Sequence, residues 1–319
     1  MKSLYIILLL VFFTVQVWSQ EAEEIELAKA YIEKIYEQRI AVSKKNLEYV
    51  IESVHGNDGA VLNEKRQQVV RQLDESIAII DKKMFSHAGD AHLKNQIYKI
   101  MEQYREVYGK DYKTALRLRE SRENSFDDMK KYLDAVEIAE KKIHTAETQM
   151  NRALDEFVEK YNAGFTRDVR LEKLIEDVTG VNEYNRKILL VYFKVINMNK
   201  DFTKAFNEKN LASATKAREA MSVGTDSLLL KLEKIGPYKD DNELNSATEK
   251  LVKFYKSSAK KTYPDLEYYL QKQRSLVGKD IEKINEITKD FARHAKKVQD
   301  DFSAATGKLL QTYIPKKIE

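Results

Sequence analysis

Between Phe126 and Asn162 apolar residues recur at alternating spacings of three and four: Met129, Tyr132, Val136, Ala139, Ile143, Ala146, Met150, Ala153 and Phe157. No Gly or Pro interrupts the run before Gly164. A period of 3.5 predicts one long amphipathic helix that buries a coiled-coil-like stripe. At 1.5 Å per residue it would span roughly 55 Å. Ala139, Ala146 and Ala153 alternate with larger residues and would let a partner helix come close.

The same reading divides the rest of the chain into helices. One covers residues 21–53, with Ile25, Ala28, Ile32, Ile35, Ile40, Leu47 and Val50 inside; His55-Gly56-Asn57-Asp58-Gly59 ends it. Others cover 61–85 and 93–107, with a kink at Gly109-Lys110-Asp111 before 112–122. Asn124, Ser125 and Asp127 offer capping oxygens to the long helix. Residues 171–178 read as a short helix interrupted near Gly180, followed by helices over 184–206 and 211–235. Gly236-Pro237 is a firm stop. Residues 244–255, a new turn around Pro264 and a helix over 280–313 complete the series.

The two halves resemble each other. At an offset of 151 residues Leu93 falls on Leu244, Ile100 on Leu251, Tyr104 on Tyr255 and Ser76 on Ser227. Past the Gly109 and Pro264 breaks the offset becomes 152: Leu118 meets Leu270, Arg122 meets Arg274, Asp128 meets Asp280 and Tyr161 meets Tyr313. An internal duplication is expected, although the first helix of each half aligns less well. The long seam maps onto Ile281, Ile284, Thr288, Phe291, Ala295, Val298, Phe302, Ala305 and Leu309. Large and small swap at three layers, Ala139 against Phe291, Ile143 against Ala295 and Ala146 against Val298. Two arrangements fit: the seams face each other, or each packs inside its own half.

Composition agrees with an all-α chain, an elongated bundle of long amphipathic helices in two duplicated halves. Its 319 residues are 43% hydrophobic and 33% charged, with ten Gly and three Pro. The net charge of +4 comes from 55 basic and 51 acidic residues, interspersed as on water-facing helices. That pattern argues against nucleic-acid binding. The start carries an address. Lys2, the apolar core Leu4 to Val15, and Val17 and Ser19 before Gln20 read as a secretory signal peptide over residues 1–19. Residues 20–165 and 166–319 then form the two helical halves. The competing reading is an uncleaved anchor, for which the core is short. Without cysteine the chain has neither a lipidation site nor disulfides, so it is not a lipoprotein, and packing alone must stabilise it. Ile188 to Ile196 is too short to span a membrane.

The search for chemistry finds no Gly-rich phosphate loop, no His-Glu-x-x-His and no Gly-x-Ser-x-Gly. Glu52-x-x-His55 has di-iron spacing but occurs once, at a helix end where a cation is favoured anyway. His87, Asp90 and His92 share a loop and have metal-ligand chemistry; a solvated loop is the plainer reading, since the second half has Tyr238, Asp241 and Glu243 there. His144 and His294 lie beside the seams. Tyr98, Tyr104, Tyr108 and Tyr112, and Tyr255, Tyr263, Tyr268 and Tyr269, are read as packing residues before a ligand groove. No catalytic, cofactor or metal residue is therefore assigned.

These readings predict a non-enzymatic exported protein, periplasmic or at the cell surface, that binds a protein partner or itself through helix faces. The alternative is a helical carrier or sensor that holds a small apolar ligand or glycan between helices. In its signal-like start and Lys/Glu-rich helices the chain resembles the uncharacterised all-helical surface or envelope proteins of bacteria. That resemblance implies export and transfers no functional residue.

Overall fold

The computed structural model describes residues 2–56, 58–83, 87–272 and 274–316, with side chains from residue 22 onward, Lys83 excepted. The side chains of the expected signal segment, and the expected end of the second helix at Phe85, lie outside the described residues. The fold is an all-α bundle. Its helices are α1 (Lys2–His55), α2 (Gly59–Lys83), α3 (His92–Glu106), α4 (Tyr112–Arg119), α5 (Phe126–Tyr161), α6 (Val169–Asn207), α7 (Leu211–Ile235), α8 (Glu243–Lys260), α9 (Thr262–Gln271) and α10 (Gly278–Tyr313). Among the described residues, no helix is long and apolar enough to cross a membrane.

Two compact units emerge. Of the described residues, unit 1 comprises 2–117 and 134–172, and unit 2 comprises 118–133 and 173–316. In unit 1, α1 packs on α2 and α2 on α3. The core combines Ile32 and Ile35 of α1, Leu73 and Ile80 of α2, Ile97 and Met101 of α3, and Ala139, Ala146 and Met150 of α5. In unit 2, α7 and α10 both pack on α8. Val181, Ile188, Met221, Leu232, Leu251, Tyr255 and Leu309 are buried there. Each such side chain contributes about 2 kcal/mol of burial. Ala139 belongs to the unit 1 core, while Phe291 in unit 2 meets the rings of Phe254 and Tyr263 at 5.5 and 5.8 Å.

Local chemistry sets the helix ends. Asp58 accepts the Ala60 amide at 2.7 Å to start α2, and Asn210 accepts the Ser213 amide at 3.0 Å to start α7. Ser125 and Asp128 bond reciprocally before α5; the Val277 amide donates to Asp280 at 3.0 Å before α10. Gly236, at φ +66°, closes α7. The expected kink at Gly109 is a π-helical turn, Val107–Asp111. The buried Arg66 guanidinium donates to its Tyr108 carbonyl at 2.8 Å.

Gly180 does not interrupt a helix. α6 runs through it unbroken, because Val178, Val181, Tyr184 and Ile188 keep one buried stripe on both sides of it. One interior glycine costs about 1 kcal/mol, less than that stripe returns.

Candidate functional site

Among the described residues, polar side chains gather at the turn before α3, in a buried network in unit 1, and in a cleft in unit 2.

The turn before α3 is built by paired backbone. The Asp90 amide donates to the His87 carbonyl at 2.7 Å, across Ala88 and Gly89 at positive φ. The Asp90 carboxylate accepts the His92 amide at 2.7 Å, the Lys160 ammonium at 2.6 Å and the Tyr161 hydroxyl at 3.0 Å. The Lys160 bond, helped by the His92 amide, holds the Asp90 carboxyl down at about 2. His87 is buried, contrary to the expected solvated loop. Its ring stands edge-on to Tyr161 at 4.6 Å and lies near Phe157 and Tyr31. Its Nε2 is buried with no hydrogen-bond partner among the described residues. The aromatic side chains of α1 and α5 draw the ring inward, which the polar loop sequence concealed.

Unit 2 has the same turn before α8. Tyr238 and Asp241 exchange both backbone bonds at 2.9 Å, and Asp241 accepts the Glu243 amide at 2.8 Å. Tyr313 stands edge-on to Tyr238 at 4.9 Å, as Tyr161 does to His87. Lys239 lies over both rings and pairs with Asp177 at 2.7 Å. Thus His87, Asp90 and His92 are held together as a turn, and Tyr238, Asp241 and Glu243 likewise. Among the described residues, no three His, Asp or Glu side chains assemble as a metal-holding group. Glu52 and His55 lie in the last turns of α1, and His144 and His294 are exposed.

The second place centres on Arg39, buried on the inner stripe of α1. Its guanidinium donates to Asn151 at 2.7 Å and Glu147 at 2.9 Å, and lies 3.6 Å from Glu172. Tyr36 donates to Glu172 at 3.1 Å and accepts the Asp168 amide at 2.8 Å. Burial, with the Glu147 charge nearby, pushes the Tyr104 hydroxyl well above its ordinary value. Sequence reasoning missed Arg39 by treating cations as solvated. The signal was its place between Ile35 and Val42 on an otherwise apolar stripe.

The tyrosine groups are largely core. Tyr108 bonds Asn46 and Tyr263 bonds Asn199, the latter at 2.7 Å. Tyr104, Tyr112 and Tyr255 are buried, whereas Tyr268 is exposed. Burial pushes Tyr255 up to about 12.

The third place is a cleft of about 420 Å³ in unit 2, lined from α6 by Gly180, Glu183, Tyr184 and Lys187 and from α7 by Lys231, Lys234 and Ile235, with Tyr238 from the turn. A Cβ on Gly180 would stand 2.8 Å from the Tyr238 hydroxyl, so glycine is what admits the ring. Tyr238 donates to the Asp177 carbonyl at 3.3 Å and Tyr184 to the Gly236 carbonyl at 3.1 Å. Burial pushes Tyr184 up to about 12. Sequence reasoning had Gly180 as a helix break and did not find the cleft. Compared with known protein families, with curated proteins and with solved structures, the chain matches none.

Proposed function

We propose that the chain is an exported, non-enzymatic helical interaction module, made of two copies of one four-part helical repeat, with residues 1–19 acting as a signal peptide. One observation carries this reading: what the two units share is framework. Helices α2 and α7, and α5 and α10, have matching lengths and begin and end 152 residues apart. The caps at Asp58 and Asn210 and the turns at His87–Asp90 and Tyr238–Asp241 recur at offsets of 152 and 151, and the Asn46–Tyr108 bond has a counterpart in Asn199–Tyr263, offset by 153 and 155. Two of the potentially reactive groups do not recur: His87 meets Tyr238 and Arg39 meets Tyr192, whereas Arg66 meets Arg218 and Asp90 meets Asp241. Repetition of framework with only partial retention of chemistry supports a scaffold that works through its outer helix faces. Protein partners or self-association through those faces follow from it. The test is the intact mass and location of the protein in its own host, with a photo-crosslinker at the exposed Val223 or Leu230 of α7. Loss of the first 19 residues and a discrete cross-linked protein species outside the cytoplasm are expected. A full-length chain in the cytoplasm would overturn the proposal.

The unit 2 cleft favours a second reading, a carrier or sensor for a small ligand. A volume of about 420 Å³ falls in the range of small-molecule sites, roughly 300–1,000 Å³. Native mass spectrometry of the protein from its host tests it by the presence of a retained small molecule.

A further inference from the structure

We infer that the turn joining α9 to α10 docks onto an anionic lipid surface. This contact is additional to the protein contacts proposed above and does not depend on them.

The turn departs from the interspersed charges of the rest of the chain. From Tyr268 to Lys279 there are three basic residues, Lys272, Arg274 and Lys279, and no acidic one. At the offset of 152 that relates α10 to α5, the matching stretch Leu116 to Asp127 holds three basic and three acidic residues. Four exchanges run the same way. Lys272 stands where the earlier linker has Glu120, and Lys279 where it has Asp127. Leu276 stands where it has Asn124, and Val277 where it has Ser125. Cations thus occupy acidic positions, and apolar side chains occupy polar ones, at one turn.

The structure presents these groups to solvent. Among the described residues nine large apolar side chains are exposed, and three of them lie here: Tyr268, Val277 and Ile281, at 49%, 60% and 51%. Lys272 lies over the Tyr268 ring at 4.3 Å and also feels the charge of Asp280, so the end of α9 and the start of α10 form one patch. The Asp280 carboxylate accepts the Val277 amide at 3.0 Å, which fixes the backbone that carries Val277. Among the described residues Lys272, Arg274 and Lys279 have no ion pair. The nearby acids Glu267 and Glu286 are held by Arg218 at 3.0 Å and Lys283 at 2.7 Å. Asp265 and Glu282 flank the stretch in sequence.

Exposed apolar, aromatic and unpaired cationic side chains at one turn match the layers of a bilayer face. Lipid phosphates answer the cations, the headgroup boundary suits tyrosine, and the acyl region receives Val277 and Ile281. An acidic protein surface would use the cations and leave the apolar side chains wet. An apolar groove would leave three cations without partners.

The test uses the absence of cysteine from the chain. Ser275→Cys in the full chain places one environment-sensitive fluorophore at the turn; Asp240→Cys, in the turn before α8, is the control. Vesicles are phosphatidylcholine alone, or phosphatidylcholine and phosphatidylglycerol in equal parts. The label at 275 is expected to shift to the blue on the mixed vesicles and to be quenched by brominated acyl chains. Its affinity should be at least tenfold higher there than on phosphatidylcholine, and should fall as salt is raised. The label at 240 should stay in water, which separates docking of this turn from any binding by residues 1–19. Lys272→Glu/Leu276→Asn/Lys279→Asp imports the residues of the earlier linker. It should weaken the response at 275 at least tenfold while the helical spectrum is retained. A label at 275 that stays in water would overturn the assignment, as would an equal response on phosphatidylcholine, an equal response at 240 or an unaffected triple variant. Soluble polyglutamate that binds as tightly as the mixed vesicles would overturn it too, in favour of an acidic protein surface.

Discussion

At one pair of corresponding positions, Arg39 and Tyr192, the two units place opposite chemistry. Unit 1 places the Arg39 guanidinium on the inner stripe of α1 and answers it with Glu147 and Asn151. Unit 2 has Tyr192 at the matching position, stacked on Phe302 at 4.1 Å, while Gln299, matching Glu147, donates to Tyr255 at 2.9 Å. Tyr104 and Tyr255 are the matching tyrosines. The helical interior thus holds an ion pair in one unit and a neutral stack in the other. A buried charge is costly alone and acceptable when paired, and an apolar substitute of similar volume is often as stable.

The largest expected effect comes from breaking that pairing. Arg39→Tyr leaves Glu147 without its cation and should destabilise unit 1 by about 3 kcal/mol. Adding Glu147→Gln, which imports the unit 2 solution, should recover most of the loss, to within about 1 kcal/mol. Urea unfolding of the two single variants and the double variant measures the coupling. Additive losses would show that the two interiors are not interchangeable.

A smaller effect is expected where unit 2 needs glycine. Gly180→Ala should gain helix propensity, yet its Cβ would meet the Tyr238 hydroxyl at 2.8 Å, beside a ring packed against Tyr184 and Tyr313. A net loss of about 1 kcal/mol is expected. In a Tyr238→Phe background, which removes the obstructing hydroxyl, the same change should turn stabilising by up to about 1 kcal/mol. A stabilising Gly180→Ala in the parent chain would mean that the ring moves freely.

The smallest effect concerns the turn of unit 1. Asp90 is held at about 2, chiefly by Lys160, against an unfolded value near 3.9. A depressed carboxyl stabilises the fold fully above the unfolded value, and that contribution is lost as pH falls from about 4 to 2. Amide exchange around His92 should accelerate over that window, and Asp90→Asn should abolish the window. Exchange that is flat with pH in the parent chain would remove Asp90 as an anchor. The exposure of the Lys160 ammonium makes the effect modest.

These contrasts also show what the sequence made legible. The seam from Met129 to Phe157 and the stop at Gly236-Pro237 were readable because periodicity and backbone chemistry act locally. The helix 211–235 coincides with α7 for the same reason. Gly180 was misread because a local breaker was outweighed by burial on either side. His87 was misread because its neighbours come from distant helices. The match between α1 and α6 was hidden by drift in the offset. It is 153 for Tyr31 and Tyr184 or Asn46 and Asn199, 152 along α2 and α7, and 151 along α3 and α8. Buried positions in α2 and α7 pair as Leu62 with Ala214, Val69 with Met221, Leu73 with Thr225 and Ile80 with Leu232. The Ser76–Ser227 pairing is therefore one residue out of step with burial.

The borders of the compact units do not fall at helix ends. Residues 118–133, which include the start of α5, belong with unit 2, while the first residues of α6 belong with unit 1. Phe126 meets Lys194 of α6 at 4.6 Å, and Met129 and Leu133 are buried. Each unit therefore borrows a segment from the far side of the α5–α6 linker. Recombination at that linker would therefore hand on two incomplete bodies.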